Sequence, residues 1–436
     1  MTKRSGRALI ALCAIGLSTD AVIRGQSTNG VRSAEVQTIG VPGASNSTPS
    51  LAAAGQIVAV VWTAAKDGRS NVYIAMSGDG GATFSAPTRV NDQDGDAGAT
   101  NEQPPRVVIS APGRQRAVTV LWSKRDTGST RTRTDIIRMA RSTDGGRTFS
   151  PARITHESAF TGARGWQSLT VAPDGSLHAV WLDGRHAEQK IADTAKHTGM
   201  QHKGQPPQEV YHGTLLPDGR MTETLIASDV CFCCKTATAV DAGGTVYAAW
   251  RHIFPGSIRD IAFAKSSDGG RHFSQLVRVS EDKWEIDGCP EDGPSIAVDR
   301  SGTVHIVWAT VVAEGEPQKA IFYATSRDGK AFAPRARIPT TGNTTPGHPQ
   351  LVVTPDGAAA IVFDEVVGGV RRVSLARKPR DGAFQSPEIL SGTASASFPV
   401  MVRSGAADLL VAWTSRSAGP SPDLSQISLK RLAAGR

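Results

Sequence analysis

Three of the five cysteines in this 436-residue chain stand within four positions, in the run DVCFCCK: Cys231, Cys233 and Cys234. The other two are Cys13 and Cys289. Thiols this close can serve as disulfide staples, as ligands for a soft metal such as copper or zinc, or as nucleophiles. One bridge from this run to Cys289 closes a loop of more than about fifty residues and contributes about 2 to 4 kcal/mol in the chain-entropy model. Pairing the remaining two requires a strained small ring. Against the metal, Cys-x-Cys-Cys is not a standard zinc spacing. Disulfide and metal both stay open for Cys231, Cys233, Cys234 and Cys289.

Other residues able to do chemistry cluster in short runs that follow strand-like segments. WRHIFPGSIRD holds Arg251, His252, Arg259 and Asp260; WLDGRH holds Asp183, Arg185 and His186; GHPQ holds His348; FDE holds Asp364 and Glu365; and WEIDGCPEDG holds Trp284 beside Cys289. Arg259 and Asp260, next to the cysteines at the start of a strand, are the expected catalytic pair. Arg251, His252, Arg185, Asp183, His348, Glu365 and Trp284 are the expected ligand-binding set. A long segment between Trp181 and Tyr211 carries His186, His197, Met200 and His202. It reads first as a mobile polar loop, with a lid or binding loop whose residue set suits copper as the alternative.

A repeat must bring these runs together. An apolar segment ending in an aromatic recurs at Trp62, Trp122, Trp181, Trp250, Trp308, Phe363 and Trp413. Before most copies lies a shorter apolar run and a Gly-containing turn, the mark of an antiparallel hairpin. After several comes a third run leading to SGDGGATF, STDGGRTF, SSDGGRHF or the weaker SRDGKAF, and then a fourth. Four antiparallel strands repeated seven times predict an all-β, seven-bladed propeller, with six blades as the alternative.

The last repeat has three strands, so AEVQTIGV near the N-terminus is expected to supply its outer strand and hide the open edges. Strand alternation puts the loops between blades and those joining second to third strands on one face, and the Asp-Gly-Gly turns on the other. Thr236, Pro294, Gln167, Pro349 and Pro399 each stand fourteen residues before their aromatic. On this alignment the four cysteines precede blades four and five at the channel mouth.

The Ser-x-Asp-Gly-Gly-x-Thr-Phe boxes at Ser77 to Phe84 and Ser142 to Phe149 resemble the Asp-box (BNR) repeats of the sialidase superfamily, over essentially the whole chain after the first segment. The boxes themselves read as structural: Asp79, Asp144, Asp268 and Asp328 cap a turn, and the Phe packs between sheets. The family's hydrolases bind a sugar carboxylate with three arginines and use a Tyr activated by a Glu, with an Asp as acid/base. Here the four tyrosines are Tyr73, Tyr211, Tyr247 and Tyr323, none in the last two repeats, and Arg251, Arg259, Arg371 and Arg403 do not match the family triad. The Cys231 to Cys234 run, Arg259 to Ile261 and Gly288 to Pro290 are similar to segments of secreted sialidase-like proteins, which implies a shared site.

The opening segment has Lys3, Arg4 and Arg7, an apolar run to Leu17 and small residues near Ala21, so residues 1–21 read as an export signal that also removes Cys13. Residues 22–32 read as a linker, 33–432 as one propeller domain and 433–436 as a tail. A secreted or periplasmic location follows, without membrane insertion. The net charge of +8 is spread along the chain, which argues against nucleic acid as a partner. A monomer binding a small-molecule or glycan-type ligand, anionic in character, is the expectation. An exo-sialidase-type glycoside hydrolase and a protein-interaction scaffold are the alternatives.

Overall fold

The computed structural model describes residues 35–98, 103–110, 116–126, 134–156, 162–186, 208–216, 219–286, 290–312, 317–342, 344–355, 357–405, 408–416 and 424–433. Among them there is no helix, and every strand belongs to one of seven four-stranded antiparallel sheets. The sheets form a ring, a seven-bladed β-propeller. Blades one to six span 45–89, 106–154, 164–230, 237–278, 295–337 and 347–389, each running first to fourth strand without crossover. The first strands of neighbouring blades touch in ring order, from blade one through blade seven and back to blade one.

Blade seven is built from both ends of the chain. Its inner three strands are Ser395–Ser404, Asp408–Arg416 and Ser425–Ala433, and its outer strand is Gln37–Ile39, which pairs with the last strand at Gln37–Leu429 and Ile39–Ile427. The expected closure is thus observed.

The apolar core lies between blades. Seven clusters of buried side chains each join two adjacent sheets, and each holds one of the seven repeated aromatics. Trp62, Trp122, Trp181, Trp250, Trp308 and Trp413 are at most 2% exposed. Burying a side chain of this size removes 150 to 250 Å² of mostly apolar surface from water, so these positions dominate blade-to-blade cohesion.

The Asp-Gly-Gly turns have the local role expected of them. Asp79 accepts from the backbone N–H (2.9 Å) and hydroxyl (2.6 Å) of Thr83 and from the Ser77 hydroxyl (2.7 Å), while Ser77 Oγ accepts from Gly81 N–H (2.8 Å). Asp144 repeats the pattern with Ser142 and Thr148. Phe84, Phe149, Phe273 and Phe332 pack into the clusters shared with the preceding blade.

Candidate functional site

Four first strands open with the same distortion. Thr48, Trp166, His348 and Phe398 have φ between +53° and +56°, and each sits in a register shift against its second strand, between Ser47 and Ser50, Gly165 and Ser168, Gly347 and Gln350, and Ser397 and Val400. A non-glycine residue in this region costs about 1 to 3 kcal/mol. Repetition around one rim shows that the ring holds it in place. Gln167, Pro349 and Pro399, equated by their spacing to the aromatics, are in each case the residue directly after the distorted one.

Beyond these bulges the seven first strands enclose an axial cavity of about 200 Å³. Its lining comes from every blade and includes Arg106, Ser168, Lys235, Thr236, Ser295 and Gln350. A second hollow at its mouth is bounded by Thr48, Arg106, Lys235, His348, Gln350 and Phe398. Arg106, Lys235 and His348 bring basic nitrogen to this opening.

Lys235 stands out among them. It is 7% exposed, lines both hollows, and its ammonium has no hydrogen bond or ion pair with the described residues, interacting with Asp292 only through longer-range attraction. Its backbone is pinned on both sides. Thr236 donates its N–H (3.0 Å) and its hydroxyl (2.9 Å) to the carbonyl of Trp166, and Gly293 passes so close that a Cβ there would stand 2.0 Å from the Lys235 carbonyl oxygen.

The acids near the mouth are buried and committed. Asp292 is fully buried, takes the ammonium of Lys319 at 3.1 Å and accepts from the His348 N–H at 3.0 Å. Burial pushes its pKa up, but Lys319, His348 and Lys235 together outweigh this and hold it at about 2. Asp364, also fully buried, binds His348 Nδ1 at 2.8 Å, the Phe398 N–H at 2.8 Å and the Arg371 guanidinium. The His348 ring lies 4.2 Å from the Phe398 ring, so imidazole and phenyl form one wall of the opening. Glu365 is fully buried and accepts from Thr341 N–H, Thr344 and Ser374. It organises the loop before blade six.

The expected catalytic pair stands just before blade four's third strand, and neither residue lines the two hollows. Asp260 is fully buried and takes the Arg278 guanidinium together with the N–H groups of Lys283 (3.1 Å) and Trp284 (3.3 Å). Arg259 is 6% exposed, and its Nε and Nη1 have no hydrogen-bond partner among the described residues. Arg251 is 1% exposed and directs its guanidinium at the carbonyls of Asp292, Arg259 and Ala309 (2.6 to 3.2 Å), with the ring of Trp284 at 5.0 Å. It braces blade four against blade five. His252 packs edge-on against Phe254, with its pKa lowered by burial against the pull of Asp229.

Asp183 and Arg185 form a separate buried network in blade three. Asp183 joins Arg164 (3.1 Å), Arg185 (2.5 Å) and the indole N–H of Trp181 (3.1 Å), and Arg185 continues to Glu223 and lies over the ring of Tyr211. Arg403 is at the far end of its strand beside the Gly405 turn, on the Asp-Gly-Gly side. The four arginines considered for a carboxylate clamp therefore do not converge.

The cysteine loop joins blade three to blade four. Cys231 donates its N–H to the carbonyl of Arg251 at 3.0 Å, which fixes the loop to the end of blade four's second strand. The three sulfurs lie within 4.8 Å of one another. Cys231 and Cys234 are free, whereas Cys233 is disulfide-bonded. Cys289 falls in 287–289, outside the described residues, as do His197, Met200 and His202. The Cys234 thiol donates to Cys231 sulfur at 3.7 Å. This bond, against burial and with Arg259 and Arg251 nearby, lowers the Cys231 thiol to about 6, while burial raises Cys234.

No protein-family profile matches the chain, and no curated protein matches it in sequence. Its likeness to solved structures lies in the fold. An ulvan lyase described as a new family of polysaccharide lyase is similar at TM-score 0.58 and 12% identity, over 92% of this chain and 96% of that one; it has also been solved bound to a GlcA(1-4)Rha3S ligand. The polysaccharide lyase Uly1 is similar at TM-score 0.55 and 12% identity, over 96% and 94%. A Dyadobacter fermentans protein of unknown function is similar at TM-score 0.52 and 13% identity, over 92% and 99%. A microbial sialidase is similar at TM-score 0.47 and 14% identity, over 73% of this chain and 63% of that one.

Proposed function

We propose that the protein binds an acidic glycan or a small anionic molecule at the mouth of its axial cavity, with Lys235 as the central charge and Arg106 and His348 beside it. One observation carries this reading: a lysine only 7% exposed, its ammonium without an ion pair among the described residues, lines a cavity whose neighbouring carboxylates are already paired. Removing a charge from water is costly unless a counter-charge meets it, and a carboxylate or sulfate entering from the mouth supplies one. The acidic ligand held by one propeller of similar fold supports the choice of ligand class.

An exo-sialidase reading is less well supported. Tyr211 and Glu209 lie 3.4 Å apart, but both are buried, and Tyr211 packs in the core between blades two and three. Burial, followed by the Glu209 charge, raises the Tyr211 pKa to about 12, which disfavours a nucleophilic phenolate.

The reading of residues 1–21 as an export signal supports binding outside the cytosol, and a disulfide at Cys233 agrees with an oxidising compartment. We assign Cys289 as its partner.

Titration calorimetry with uronate-containing and neutral oligosaccharides of equal length tests the proposal. The acidic series is expected to bind, and Lys235→Met to weaken it at least tenfold without loss of folding. Equal affinity for both series would overturn the reading.

A further inference from the structure

We propose that Cys231 and Cys234 form a peroxide-reactive dithiol that closes reversibly to a disulfide within the folded propeller. The spacing is Cys-x-x-Cys, and the two sulfurs are 3.7 Å apart with one already donating to the other. They are near enough for a side-chain rotation to bring them to bonding distance. Cys233 between them is engaged in its own disulfide, so oxidation of the outer two leaves no odd thiol in the run.

Two features separate this pair from inert buried cysteines. The first is charge. Arg259, only 6% exposed, has no hydrogen-bond partner for Nε and Nη1 among the described residues, and together with Arg251 it acts on Cys231. A guanidinium with unsatisfied buried donors favours an anion beside it, and the thiolate is the nucleophilic form of cysteine. The lowered Cys231 pKa agrees.

The second is access. Cys231 and Cys234 are 0% and 2% exposed, packed among Trp166, Val230 and Trp250. Such a wall keeps out a protein disulfide and favours small neutral reagents, peroxide and a small dithiol among them.

The reaction balances with hydrogen peroxide. The Cys231 thiolate attacks one peroxide oxygen, an S–O bond forms, the O–O bond breaks, and hydroxide leaves to take up a proton as water. The Cys234 sulfur then attacks the Cys231 sulfenic sulfur. The S–S bond forms, the S–O bond breaks, and the hydroxyl departs as a second water with the Cys234 proton. Two thiols and one peroxide become one disulfide and two waters, and an added dithiol reverses the change.

All three cysteines of the run fall in one tryptic peptide, residues 221–235, which the Cys233 disulfide joins to the Cys289 peptide, residues 284–300, so the product is read in this linked peptide. Native protein is first reduced with a mild dithiol, treated with peroxide and digested without reduction. The expected result is loss of two hydrogens in this peptide, restored by dithiol applied to the folded protein, and absent in Cys234→Ser. If that variant does not fold, the wild-type mass change and its reversal still decide. Sulfinic or sulfonic acid at Cys231 would overturn the proposal. So would thiols that survive millimolar peroxide in the folded protein but react once it is unfolded. These outcomes do not depend on any axial ligand.

Discussion

Gly270, in the Asp-Gly-Gly turn of blade four, lies directly beneath the imidazole of His212 in blade three: a Cβ at position 270 would stand 1.8 Å from His212 Cε1. The turn whose sequence is repeated around the ring is thus also the seat of its neighbour's histidine. Gly270→Ala is expected to destabilise the protein by roughly 2 to 4 kcal/mol, through displacement of the ring and through its φ of +88°. Gly269→Ala, with φ of +76° and open space around it, should cost only about 1 to 2 kcal/mol. Urea unfolding of both variants gives the comparison, and equal losses would show that the imidazole contact is immaterial.

His212 also predicts an acid limit. It stacks on His178 with Nε2 3.1 Å from His178 Nδ1. Burial lowers its pKa to about 3, with His178 adding to the shift, and burial lowers that of His178 as well. Below about pH 6.5 the unfolded chain therefore binds protons that the folded chain refuses. Stability should fall as pH drops from 6.5 toward 3, by at most about 1.4 kcal/mol per pH unit for each histidine. Unfolding measured at pH 7 and pH 5 should show the loss, and His212→Gln should flatten the slope.

Asp292 predicts the reverse dependence on its partners. Asp292→Asn leaves Lys319 and Lys235 without their shared counter-charge, and removal of one member of a buried pair typically costs about 3 to 5 kcal/mol. The same change loosens the His348 backbone at the mouth. Thermal melts should show the lower stability. Affinity for an acidic ligand should fall less than in Lys235→Met, because the basic groups remain.

Arg251→Lys tests whether this residue braces the ring. A lysine cannot reproduce a planar fork that reaches three carbonyls, so a loss of about 2 to 4 kcal/mol is expected. Denaturation that leaves stability unchanged would instead mark Arg251 as dispensable for packing.

The ring was legible because its signals are periodic: seven aromatics at comparable spacing, Gly-containing turns between apolar runs, and an N-terminal segment without a repeat of its own. The site was legible only in part. His348 lines the mouth. Asp260, Glu365, Arg251 and Asp183 were picked as charged groups near loop tips, but all four are buried in networks that hold the loops. Sequence shows the charge and not the partner that consumes it. Lys235 and Arg106 escaped notice because a single basic residue in a strand-like run looks like any solvated surface residue. A signal for Lys235 was present: it directly follows Cys234 and precedes the aligned position Thr236. The rim bulges left only the prolines after Thr48, His348 and Phe398 as a trace, and Trp166 has none.

The pairing of Gln37–Ile39 with Ser425–Ala433 has a kinetic consequence. The Gln37–Ile39 strand must wait, without its partner, until Ser425–Ala433 has been made, so among the seven sheets this one is completed last. Deleting residues 425–433 would leave one sheet with two of its strands and the amino-terminal strand with nothing to bind. A single hydrogen-bonded clasp, joining positions nearly 400 residues apart along the polypeptide, governs when the molecule becomes a closed object.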